Sequence, residues 1–194
     1  MLTIVWYMSE GNFFNGGTAS TFFILFLALL FLGSGTFSLD YLLFDKAKNG
    51  EIRTMYIDDY KPFVSRIWFP VEDKRVFLHK IQPCKPNVEA LWHYHPWESA
   101  IKIIHGEYEM GIGHSETNET PKTIDCKLLL TENCRYEMLE PDGWHYVAPS
   151  NYSVYSLMVT GKLFEGKKMD LKRKELFRKL TKIEILEILF QAID

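Results

Sequence analysis

His93-Tyr94-His95-Pro96-Trp97-Glu98 is the stretch of this 194-residue chain richest in metal-ligating side chains. If it is extended, histidines at i and i+2 share one face of a strand. A third histidine, His145, follows in Pro141-Asp142-Gly143-Trp144-His145, about fifty residues on from His93. A distant strand carrying it would complete the three-nitrogen face that zinc, iron, copper and nickel sites favour. His79, His105 and His114 have no partner at useful spacing, so a structural or solvated role is expected for them.

The segments that must position these residues read as β-structure. From Glu51 to about Gly166, short apolar runs are separated by turn signals every ten or so residues, which predicts an all-β sandwich or barrel. The expected strands are 52–57, 63–69, 75–81, 90–95, 99–104, 107–114, 122–130, 136–140, 145–148 and 153–164. Pro62, Pro70, Pro83, Pro86, Pro121, Pro141 and Pro149 fall between or at the ends of these runs, where proline does least harm to a ladder. Hydrophobic residues make up 47% and charged residues 24%, as in ordinary globular proteins. A formal net charge of −3 gives no reason to expect a nucleic-acid partner.

The N-terminal region has a different character. No charged residue occurs from Gly11 to Leu39, and within it Thr21 to Leu32 reads TFFILFLALLFL. Ala19 to Leu39 is long enough to cross a hydrocarbon core, which takes about twenty residues. A transmembrane anchor is the first reading. A cleaved signal peptide is the second, although no Lys or Arg precedes the run as a signal's basic start requires. A helix buried in a core or interface is the third. Lys46, Lys48 and Arg53 follow the segment, so the positive-inside tendency puts the main domain on the cytoplasmic side, or the matrix or stromal side of an organelle.

After Gly166 the pattern turns helical. Asp170 is placed to cap, and Leu176, Leu180, Ile183, Leu186 and Phe190 recur at helical spacing. The basic run between Lys162 and Lys182 makes this an amphipathic helix that packs on the barrel or a partner, or lies on an anionic membrane surface. Cys84, Cys126 and Cys134 show no zinc-like spacing and read as unpaired thiols, which suits a reducing compartment.

His93-Tyr94-His95, Gly106 eleven residues after His95, and the Pro-x-Gly stretch ending in His145 together resemble the two motifs of the cupin superfamily. More narrowly, HYHPWESAIKIIHGEYE and PDGWHYV are similar to small cupin-like proteins with an HxHPW motif. The resemblance covers residues 52 to 165. It implies a double-sheet jelly roll with a metal at the barrel mouth, His93 and His95 being first-motif ligands and His145 the second-motif ligand. The family's glutamate ligand sits four residues after the second histidine, where this chain has Ser99; Glu98 is one residue early. On a straight strand Trp97, Ser99, Ile101 and Ile103 face inward and Glu98 outward, unless a bulge at Pro96-Trp97 turns it.

The expected whole is a mainly β chain: a tail over 1–18, a transmembrane and juxtamembrane helix over 19–50, a cupin-like jelly-roll barrel over 51–166, and a C-terminal amphipathic helix over 167–194. The expected metal set is His93, His95, His145 and Glu98, holding a divalent iron, nickel, manganese or zinc ion. Trp97, Ser99, Tyr108 and Trp144 are the candidates to wall a ligand pocket. Two functions fit. One is a membrane-anchored accessory or structural subunit of a membrane complex, with the membrane and other subunits as partners. The other is a small metal-dependent oxygenase, isomerase or decarboxylase acting on a small molecule.

Overall fold

The computed structural model describes residues 50–115, 120–121, 123–141, 143–167 and 177–193. Among the described residues, nine strands and one helix follow in order: β1 (Arg53–Ile57), β2 (Val64–Val71), β3 (Lys74–Ile81), β4 (Trp97–His105), β5 (Tyr108–His114), β6 (Cys126–Leu130), β7 (Arg135–Met138), β8 (Gly143–Pro149), β9 (Val154–Leu163) and α1 (Lys182–Ile193). They form a six-stranded sheet in the order β1-β2-β3-β9-β4-β7 and a three-stranded sheet in the order β6-β5-β8. Every pairing within them is antiparallel. This mainly β, two-sheet arrangement with a short C-terminal helix is consistent with the expected jelly roll.

Alternation along the strands explains why the sheets close on each other. Ile81, Ile103 and Val154 of the large sheet pack with Tyr108, Met110 and Val147 of the small one in a single apolar cluster. The opposite face of the large sheet is also apolar, with Ile67, Leu78 and Leu157 at 0%, 1% and 5% exposure. Helix α1 lies against this face. Its Glu187 accepts hydrogen bonds from Lys80 on β3 and from Tyr155 on β9, residues that stand opposite each other in the ladder.

Helix α1 departs from the sequence expectation. Residues 177 to 181 are not helical, so no helix runs unbroken from Asp170. The cap is instead a reciprocal box. Thr181 Oγ1 accepts from the Glu184 backbone N–H at 3.3 Å, and Glu184 Oε2 accepts from the Thr181 N–H at 2.8 Å. The buried positions differ as well. Ile188 is 1% exposed, whereas Ile183, Leu186 and Phe190 of the expected stripe are 80%, 51% and 64% exposed. Leu180 is buried from the segment before the helix, where its N–H donates to Thr54 Oγ1 on β1.

The expected strand over 90–95 is the one run that is not a strand. Only isolated bridges occur there, Ala90 with Lys61 and His93 with His145. The segment from Cys84 to Trp92 instead covers the outer face of the small sheet. Cys84, Ala90 and Trp92 pack on Tyr146 and Ala148 of β8, and the Trp92 ring meets Tyr146 edge-on at 4.9 Å. Tyr146 in turn lies across Gly111 of β5, where a Cβ would come within 2.1 Å of its ring. Gly111 is therefore required by close approach.

The apolar segment expected to span a membrane lies outside the described residues, as does the tail before it. Among the described residues no helix is long and apolar enough to cross a membrane.

Candidate metal centre

His93 and His145 are joined by a two-hydrogen-bond bridge, each backbone N–H donating to the other residue's carbonyl at 2.9 Å. That bridge sets their side chains next to each other, with ring centroids 4.3 Å apart. His95, two residues on, comes within 5.3 Å of His93 and 5.0 Å of His145. One ligating nitrogen from each of the three lies within 4.8 Å of the others. The three histidines can hold a divalent metal ion.

The hydrogen bonding suits that role. His93 Nδ1 lies 3.1 Å from the Leu91 carbonyl; donating there leaves Nε2 with its lone pair free, the second-shell arrangement common in metal sites. His145 is 2% exposed, and its Nδ1 is buried without a hydrogen-bond partner. Burial, followed by its two histidine neighbours, holds its pKa well below 6.5, with the nearby Gly143 backbone offsetting this in part. Burial and then His93 depress His95 likewise, and His93 is lowered chiefly by burial. All three are neutral at neutral pH, the form in which imidazole ligates. The residues present therefore fit a divalent ion on nitrogen donors.

The remaining expected site residues occupy varied positions. Glu98 is half-buried and not part of the histidine cluster. The register of β4 against β9 shifts between Trp97 and Ser99, across Glu98 itself. Trp97 and Tyr108 line the cavity beside the histidines, whereas Ser99 and Trp144 are not among its lining residues. Ser99 is buried beside its ladder partner Thr160, with neither hydroxyl hydrogen-bonded. Trp144 is adjacent to His145 on the strand and so faces the other way, where its ring meets Tyr94 at 5.0 Å.

The cavity has a volume of about 290 Å³ and opens between the two sheets. Its wall includes residues that spacing did not single out: Tyr60, Arg66, His79, Tyr136 and Ser156. Arg66, His79 and Ser156 form one row, because Arg66 pairs with His79 and His79 with Ser156 across β2, β3 and β9. Tyr108 and Tyr136 share a hydrogen bond of 2.7 Å between their hydroxyls. The alternation Phe77, His79, Ile81 was the available signal for His79, a polar residue at an inward position. Nothing in its spacing pointed to partners on the two neighbouring strands.

No protein-family model matches the sequence, and no curated protein matches it. Among solved structures, the chain is similar to iron(II) HppE with the alternative substrate (S)-1-HPP, at 13% identity and a TM-score of 0.45, over 57% of this chain and 56% of that one. Hydroxypropylphosphonic acid epoxidase from S. wedmorenis matches at 11% identity and a TM-score of 0.43, over 55% of each chain. A structure from work on the DMSP lyases RdDddP and RnDddQII matches at 13% identity and a TM-score of 0.41, over 57% of this chain and 53% of that one. The chain thus spans little more than half the length of the solved structures it matches.

Proposed function

We propose that the barrel is a metal-dependent enzyme of the cupin type, an oxygenase, isomerase or decarboxylase acting on a small molecule. One observation carries this reading: three histidines from two separate segments converge on the wall of a cavity of small-molecule size. A divalent ion bound there would supply Lewis-acid or redox chemistry. His93, His95 and His145 would hold it, and Trp97 and the Tyr108–Tyr136 pair would exclude water and orient the substrate. Metal analysis of the purified full chain, with His93→Ala and His145→Ala controls, tests the reading. Stoichiometric metal in the wild type and its loss from both variants is expected; a wild type without metal-binding capacity would remove the mechanism.

A membrane-anchored accessory subunit is the second reading, with residues 19–50 as the anchor and the barrel on the cytoplasmic, matrix or stromal side. The exposed apolar residues Ile183, Leu186 and Phe190 on α1 favour it, since they offer a surface to another subunit. Extraction in mild detergent followed by native sizing is the test. A sharp monomer would count against it, and recovery in the soluble fraction without detergent would count against the anchor.

A further inference from the structure

Arg66 and His79 stand directly opposite each other on β2 and β3, and both line the cavity. Arg66 Nε and His79 Nε2 are buried without hydrogen-bond partners. Leaving such nitrogens unpaired is costly, so two neighbours on one cavity wall call for a group that completes them. Phe77 carries the Arg66 guanidinium 5.2 Å over its ring and stacks on His79 at 5.8 Å, which fixes both side chains. Ser156 Oγ lies 3.5 Å from His79 Nδ1. With the hydroxyl donating, His79 Nε2 carries the proton and is a donor.

The charge in the cavity is one-sided. Among the described lining residues none is Asp or Glu, and Arg66 carries the one formal charge. No carboxylate among the described residues forms an ion pair with it. Burial keeps His79 neutral, so it would contribute a hydrogen bond and no charge. Three neutral imidazoles would leave a divalent ion's charge uncompensated, adding to that of Arg66. A planar guanidinium fork in such a place matches a carboxylate or phosphate oxygen pair.

We propose that Arg66 and His79 seat an oxyanion, a carboxylate or a phosphate, at one end of the small-molecule substrate, while its other end reaches His93, His95 and His145. This rests on the histidines being the reacting end of the cavity. Arg66, His79 and the three histidines all line one cavity of about 290 Å³, so a short molecule spans the two ends.

The test is calorimetric titration of the full chain with pyruvate and, separately, inorganic phosphate, on metal-free and zinc-loaded protein. At least one probe is expected to bind metal-free wild type saturably, and the probe that binds identifies the oxyanion. Arg66→Gln should weaken that binding by about tenfold or more. Arg66→Lys should retain part of it, because lysine keeps the charge and loses the fork. Zinc affinity of Arg66→Gln should be unchanged or higher. No saturable binding of either probe, or equal binding to wild type and Arg66→Gln, would overturn the proposal. If Arg66→Gln fails to fold by circular dichroism, Arg66→Lys decides, and wild-type affinity in it overturns the seat. Absent zinc binding with Arg66-dependent anion binding intact would remove the metal reading and leave the seat standing.

Discussion

The two walls of the cavity are built by opposite means. On the large sheet, Arg66, His79 and Ser156 sit in register on three adjacent strands, each held by ladder hydrogen bonds on both sides. On the other wall, His93 and His95 come from a segment outside any strand, tied to β8 by the isolated His93–His145 bridge and by the Cys84 N–H donating to the Pro149 carbonyl. The first wall is as rigid as the sheet. The second depends on how residues 84 to 92 pack over Tyr146. The metal-ligand half of the site therefore owes its geometry to aromatic packing behind it, and the other half to register.

That contrast is easiest to break at Tyr146. It is fully buried, and Tyr146→Ala would leave a cavity under Trp92 and beside Gly111. A loss of about 3–5 kcal/mol is expected, as for other large aromatics, read as a fall in the urea midpoint. Metal affinity should fall with it. Ile103→Ala, in the core between the sheets, should cost about 2–5 kcal/mol and leave metal affinity near wild type in protein that remains folded. Equal effects of the two variants on metal affinity would dissolve the distinction between the walls.

Removing a ligand sharpens the comparison from the other side. His145→Ala should lower zinc affinity by roughly 100-fold or more, beyond the 10- to 100-fold typical of second-shell losses. The fold should survive, because the backbone bridge to His93 does not need the imidazole. Competition with a chelator of known affinity would measure it. An affinity within a few-fold of wild type would mean that His145 is not a ligand.

The third expectation concerns pH in metal-free protein. His79, His95 and His145 all have folded-state pKa values well below 6.5, with burial the leading cause. The unfolded chain then takes up protons first, so stability is full above about pH 6.5 and is lost as pH falls toward the folded values. Thermal midpoints should drop between about pH 6.5 and 5, and His79→Gln should flatten part of that slope. Saturating zinc should protect the three ligands and not His79. A midpoint independent of pH over this range would contradict the neutral-histidine picture.

The smallest effect is expected farthest from both walls. Thr181→Ala removes one half of the capping box on α1 and should cost about 1 kcal/mol, read as a modest fall in thermal midpoint. Zinc titration should be unchanged.

Much of the strand order along the chain was legible because sheet burial writes itself into alternation. β2, β3, β4, β5 and β9 lie close to the expected runs, and Pro62, Pro83 and Pro96 stand just outside β2, β3 and β4. The run over 90–95 shows where that reading stops. Its composition is strand-like, but its apolar residues Ala90 and Trp92 serve a layer over β8, which no local pattern distinguishes from a ladder. The helix shows the same limit. Leu176, Leu180, Ile183, Leu186 and Phe190 share a helical period, yet the helix begins only at Lys182 and buries Ile188. Periodicity defines a stripe; the neighbouring sheet selects which face is covered.

At the site, the residue types and spacing of His93, His95 and His145 already set the available chemistry, since imidazole nitrogens are recognisable wherever they fall. What the linear chain determined was a β-rich domain with three candidate nitrogen ligands and a residue other than glutamate at position 99. Tertiary structure alone decided that the ligands meet through a bridge and not within one ladder. It also placed Arg66, His79 and Ser156 in one row facing them. The reason is physical: register between strands is a long-range quantity, set by which faces bury together, and it leaves no signature in the spacing along any one strand.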